Sequence, residues 1–155
     1  MILTTLISGC GFHLRGQAAL PFDTMYVQAA PASPFATRLK RTLSAGSQTR
    51  IVDNPKEAQV TLQVLNELRE KQILSLSGGG RVREYELRYR VSYRLTDAKS
   101  TEYIPASEIV LRRDITFNDD AVLSKESEET LLYRDMQDDA VQQLVRRLQA
   151  AKIKS

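Results

Sequence analysis

Glu84-Tyr85-Glu86-Leu87-Arg88-Tyr89-Arg90-Val91-Ser92-Tyr93-Arg94-Leu95 is the stretch on which the fold turns. Tyr85, Leu87, Tyr89, Val91, Tyr93 and Leu95 alternate without a miss against Glu84, Glu86, Arg88, Arg90, Ser92 and Arg94. Successive strand side chains point to opposite faces, so strict period two places one face on a core and the other against water or a polar partner.

Upstream, Ser77-Gly78-Gly79-Gly80 reads as a hairpin turn. Before it, Val60, Leu62 and Val64 open a longer strand that continues unevenly to Leu76. Downstream, a turn around residues 97–100 leads into a return strand over residues 103–117, with Ile109, Leu111, Ile115 and Phe117 inward. Residues 24–29 read as a first strand, with Met25, Val27 and Ala29 on one face. Ser33-Pro34 then starts a helix, Ser as N-cap and Pro at the first helical position. Phe35, Leu39 and Leu43 share its apolar stripe, Arg38, Lys40 and Arg41 face water, and Gly46 supplies the stop. Residues 49–52 allow one more short strand. From about Ser127 a final helix places Leu132, Met136, Ala140, Leu144 and Leu148 four apart, widened by Val141 and Val145. The order predicts an α+β domain over residues 24–155: a mainly antiparallel sheet of about four strands, with two amphipathic helices packed on one face and the other face polar.

The N-terminus carries a different message. Cys10 follows Ile7-Ser8-Gly9 and an apolar stretch from Ile2, the pattern of a bacterial lipoprotein processing site at which the thiol is acylated. Met1 runs straight into Ile2, and Thr4 and Thr5 interrupt the apolar run, so residues 1–9 read as the end of a signal peptide. Residues 10–23 then read as a lipidated tether. Two acyl chains suffice for stable anchoring, at about 0.8 kcal/mol per buried CH₂. Gly11, instead of an acidic residue after Cys10, favours the outer membrane, with the body on its periplasmic side.

Composition excludes much else. Cys10 is the only cysteine, and once acylated it leaves no thiol for a disulfide, a metal cluster or nucleophilic catalysis. The single histidine, His13, sits in the tether and is badly placed to serve as a catalytic base. Asp119-Asp120 and Asp138-Asp139 lack the ligand spacing of a calcium loop and read as solvated loop and helix surface. Gly78-Gly79-Gly80 lacks the GxxxxGK[ST] pattern of a phosphate loop. No catalytic residue, no metal site and no cofactor beyond the covalent lipid on Cys10 is expected. The net charge of +3 is compatible with several anionic partners, and an exported chain meets anionic lipid and envelope polymers far more often than nucleic acid.

The basic residues are the candidate binding groups. Arg81 and Arg83 follow the glycine turn, while Arg88, Arg90 and Arg94 stand on the polar sheet face, nearest neighbours about 6.6 Å apart along the strand. Guanidinium groups so spaced can take phosphates or carboxylates bidentately. The plainer reading is a solvated face, with Glu84 and Glu86 offsetting part of the charge.

Several segments resemble one family. GCGFHLRG at residues 9–16, EYEL at 84–87, LSKESE at 123–128 and RDMQDDAVQQLVRRL at 134–148 are similar to the LPS-assembly lipoproteins, LptE, also called RlpB. The resemblance implies a non-enzymatic outer-membrane lipoprotein that plugs the LptD β-barrel, binds lipopolysaccharide and assists its assembly at the cell surface. A polar barrel lumen suits a plug with charged strand faces. For lipid contact the family uses a hairpin basic residue and a lysine just before the last helix. The lysine matches Lys125. The hairpin position, counted back from Tyr85, falls on Gly78, which leaves Arg81 or Arg83 to serve. The competing expectation is another envelope lipoprotein that scaffolds barrel assembly or peptidoglycan synthesis.

Overall fold

A computed structural model describes residues 18–117 and 122–152. Cys10, His13 and Asp119-Asp120, on which several expectations rest, lie outside them. The chain forms β1 (Thr24–Gln28), α1 (Pro34–Gly46), β2 (Arg50–Val52), a single 3₁₀ turn (Pro55–Glu57), β3 (Val60–Leu76), β4 (Val82–Asp97), β5 (Glu102–Thr116) and α2 (Val122–Gln149). The sheet order is β2-β1-β3-β4-β5.

The α+β class is as predicted, with two differences in the sheet. Among the described residues it has five strands, because Arg50–Val52 pairs with β1. It is mixed, because β1 runs parallel to both β2 and β3, while β3, β4 and β5 form an antiparallel meander. The α1 crossover returns the chain to the starting end of the sheet and makes β2 parallel to β1, and residues 53–59, with the 3₁₀ turn, return it again so that β3 also runs parallel to β1.

β4 owes its alternation to its place between two long strands and beneath α2. Leu87, Tyr89, Val91, Tyr93 and Leu95 are fully buried, and they join Met25, Leu62 and Ile109 in one contiguous core. α1 adds Phe35, Leu39 and Leu43; α2 adds Met136, Ala140, Leu144 and Leu148. Phe22, upstream of the first strand, is buried there too.

The local signals at α1 hold at its start and differ at its end. Ser33 caps it, its hydroxyl oxygen accepting from the Ala36 N–H at 3.0 Å, and Pro34 takes the first position. Gly46 is the last helical residue and not a left-handed stop. The cap is Ser47, in extended conformation, whose N–H and hydroxyl both donate to the Leu43 carbonyl, at 2.9 and 2.7 Å. Lys40 and Arg41 leave the core as expected, but Arg38 bridges to Asp138 of α2 at 2.7 Å. Asp139 likewise pairs with Arg113 of β5 at 2.8 Å, so the Asp138-Asp139 pair clamps α2 to its neighbours and is not merely solvated surface.

α2 starts at Val122, earlier than the apolar period indicates, because Leu123 and Leu131 in its first turns are exposed and mark no buried stripe. The β3–β4 turn closes as read: the Ser77 N–H donates to the Arg81 carbonyl at 2.7 Å, and Gly80 takes a positive φ of 77° that a side chain would strain. At the other end of β4, Asp97 Oδ1 accepts from the N–H groups of Lys99 and Thr101, both at 2.8 Å. The Thr101 N–H above all, helped by its neighbours, holds the Asp97 carboxyl below the usual carboxylate range.

Candidate functional site

β3 and β4 are the longest strands, and their turn projects beyond β1, whose pairing with β3 ends at Gln63. The end of β5 and the first turn of α2 arrive at the same tip. Lys125 therefore lies within α2, not ahead of it. Its Nζ donates to Glu128 Oε2 at 2.7 Å, one turn along, and reaches Thr116 Oγ1 of β5 at 3.3 Å. Its side chain is only 20% exposed.

Thr116 stands opposite Glu84, and the Phe117 N–H donates to the Arg83 carbonyl at 2.7 Å. Lys125 and Arg83 are thus drawn to one end of the molecule, and Arg81 closes the turn there. A cavity of about 440 Å³ opens among Ser75, Leu76, Arg83, Glu84, Thr116 and Phe117. Ser75 donates to Glu84 at 2.7 Å across its floor.

Sequence reasoning missed Lys71. It faces the helix side of β3, opposite Leu87, where its Nζ sits 4.3 Å from the Tyr85 ring centroid and 2.6 Å from Glu129 Oε2. Tyr85 in turn meets Phe117 edge-on, with centroids 5.5 Å apart and planes at 87°. Aromatic rings, the exposed Ile73, Leu74 and Leu76, and the cations Lys71, Arg83 and Lys125 thus share the tip. Such a surface can meet a molecule that is anionic at one end and apolar at the other. Period two could have flagged Lys71 had β3 kept its alternation.

The row on β4 is laid out differently. Arg88 donates to Glu86 at 2.6 Å, and Arg94 donates to Gln63 on β3. Arg90 lies between Glu70 at 3.7 Å and Glu108 at 3.5 Å, distances that match charge without forming hydrogen bonds. All three arginines lie on the outer sheet face, and each already has a partner within the sheet.

A second polar centre ties α1 to the sheet. Tyr89 donates to Glu67 Oε1 and Ser33 donates to Glu67 Oε2, both at 2.6 Å. Burial, first, and the Glu67 carboxylate, second, push the Tyr89 phenol well above its ordinary value. Burial likewise raises Tyr133, whose hydroxyl donates to the Glu70 carbonyl at 2.6 Å. The Ser33 hydroxyl, which meets the Glu67 carboxylate together with Tyr89, is buried and also accepts from the Ala36 N–H as the α1 cap, so the centre reads as a tie between helix and sheet. Among the described residues, no group of three or more His, Cys, Asp or Glu could hold a metal ion, and no helix is long and apolar enough to cross a membrane.

Comparison with known proteins is consistent with this geometry. The family model described as "LptE: Lipopolysaccharide-assembly" matches residues 22–148. An LPS-assembly lipoprotein LptE of Pectobacterium atrosepticum is 30% identical, over 92% of this chain and 78% of that protein. One from Yersinia enterocolitica is 31% identical, over 96% and 73%. Among solved structures, an uncharacterized lipoprotein B from Nitrosomonas europaea superposes with a TM-score of 0.79 at 43% identity, covering 90% of this chain and 91% of that one. The rare lipoprotein B from Shewanella oneidensis shares the fold, with a TM-score of 0.70 at 24% identity, over 82% and 94%.

Proposed function

Since the chain belongs to the LptE lipopolysaccharide-assembly family, a family of lipoproteins and not of enzymes, we propose that it is the plug of the LptD β-barrel in the outer membrane. In this reading it is anchored through acylated Cys10 and takes no cofactor. It binds lipopolysaccharide and assists its assembly at the cell surface.

The observation that carries the lipid-binding part is the meeting of Lys125, Arg83 and Arg81 with the exposed leucines of β3 at one tip. Lipid A presents phosphates beside acyl chains, and that tip offers cations beside apolar side chains. The opposite end supports the orientation. The Ala18 N–H donates to the Gly46 carbonyl at 2.6 Å, so the segment leading back to Cys10 leaves from the end where β1 and β2 begin, far from the β3–β4 turn. A lipid held in the inner leaflet would let the body enter a lumen tip first. The outer sheet face, with Arg88, Arg90 and Arg94 matched to acids and an amide, suits a polar barrel interior. In this reading the row faces the wall and the tip faces the lipid.

The test is lipopolysaccharide binding by the double variant Lys125→Glu, Arg83→Glu. Binding should weaken at least about tenfold, since each partly exposed contact is worth about 1 kcal/mol or less and reversal adds repulsion. The melting temperature should fall by only a few degrees, because Lys125→Glu trades the Glu128 pair for a like charge one turn away, at about 1 kcal/mol or less. Unchanged binding with an intact fold would remove the tip from lipid contact, and adding Arg81→Glu would show whether the turn arginine alone carries it.

A further inference from the structure

β3 has a bare edge. β1 covers it only from Val60 to Gln63, and from Val64 to Leu76 no strand among the described residues pairs on that side. Within this stretch Asn66 to Ile73 keep unbroken register with β4, between one bulge at Leu65 and another at Leu74. In a run of that kind, half of the backbone N–H and C=O groups point away from β4 with no ladder partner.

The two outer edges of the sheet are guarded, and this one carries weaker devices, a bulge at each end and the charges of Glu67, Arg69, Glu70 and Lys71. β5 carries Pro105 and a dense set of charges, Glu102, Glu108, Arg112 and Asp114 among them, while β2 is three residues long. Such devices keep edges from pairing. On the bare edge, the charges are drawn back into the protein: Glu67 to Ser33 and Tyr89, Arg69 to Gln137, and Lys71 to Glu129. What remains outward mixes the uncharged Asn66 and Gln72 with a set of apolar side chains. Leu65 and Leu74, the two bulge residues, are each 50% exposed and Ile73 is 59% exposed, with Leu68 and Leu76 also exposed. At the lower end, where β1 leaves the sheet, a cavity of about 460 Å³ lies among Ala30, Pro34, Val64, Leu65 and Glu67, large enough for an apolar side chain.

We infer that an extended polypeptide segment of the barrel partner adds to this edge as a sixth strand, continuing the line of β1 and seating an apolar side chain in the cavity. Backbone pairing supplies the affinity and the flanking leucines the specificity. The inference rests on the plug reading for the source of that segment. A second copy of this chain fits less well. Symmetric antiparallel pairing centred at mid-edge sets Arg69 on Arg69, Glu70 on Glu70 or Lys71 on Lys71, and like charges directly opposed destabilise a pair.

The experiment is hydrogen–deuterium exchange resolved along residues 66–73, on the full lipoprotein alone and in its detergent-purified complex. The expected result is fast exchange at alternate amides in the isolated protein, slowed about tenfold or more in the complex with the barrel. If the barrel copurifies and those amides exchange as freely as before, the strand is refuted while the plug reading stands. Protection already present in the isolated protein, whether or not it depends on concentration, assigns the edge to the chain itself and also overturns the proposal. If no barrel copurifies, the plug reading fails and this inference falls with it.

Discussion

Replacing Tyr89 by Phe isolates one hydroxyl and two of its consequences. The ring stays buried beneath α2, and only the 2.6 Å bond to Glu67 is lost, leaving Ser33 as the remaining donor to that carboxylate. A hydrogen bond to a charged group contributes about 1.5–3 kcal/mol. Taking about 2 kcal/mol, a chain of this length should melt about 4–8 °C lower at pH 7. The pH dependence has the opposite sense. Because burial and Glu67 raise the phenol of Tyr89 in the folded state, the unfolded chain loses this proton first. The hydroxyl's contribution is complete below the ordinary tyrosine value near 10 and falls by about 1.4 kcal/mol for each pH unit above it. Tyr89→Phe lacks that loss, so the two stability curves should meet about 1.5 pH units above 10. Urea unfolding of both proteins between pH 7 and 11.5 reads this directly. A gap that stays constant to pH 11.5 would refute the buried bond.

Leu87 is fully buried at the centre of β4, and Leu87→Ala should cost about 2–5 kcal/mol in denaturant unfolding; a loss below 1 kcal/mol would mean that α2 does not pack there as described. Asp97→Ala removes the acceptor that holds Lys99 and Thr101, so both amides should exchange faster. In the native protein the same loosening should set in as pH falls through the depressed value of Asp97, because the carboxylate's contribution is present above the ordinary range and lost on protonation. Exchange at the two amides that is indifferent to the substitution would contradict the turn.

How much of this was legible depended on burial on both sides of an element. β4 is flanked by β3 and β5 along its length and covered by α2, so each inward position had to be apolar and its period was plain. Among the described residues, β3 is an edge for most of its course. Its helix-side positions meet polar groups, Glu67 the hydroxyls of Ser33 and Tyr89, Arg69 and Lys71 the rim of α2, so alternation of hydrophobicity vanished although the strand is regular from Asn66 to Ile73. β2 is too short to carry a period and exists through its parallel pairing with β1, a tertiary contact. The first turns of α2 expose Leu123 and Leu131, which hid the helix start and made Lys125 look like a loop residue. Arg81, Arg83 and Lys125 could be named one by one, but their meeting at one tip depends on how far each strand runs. Lys71 joins them only through the fold.

The central claim is that this lipoprotein fills a barrel. Its most direct test is detergent purification of the full lipoprotein from its native outer membrane, with salt washing and mass spectrometry of what remains bound. The account predicts a large β-barrel in one-to-one amount that survives the wash. Elution alone, or with peptidoglycan enzymes in its place, would contradict it.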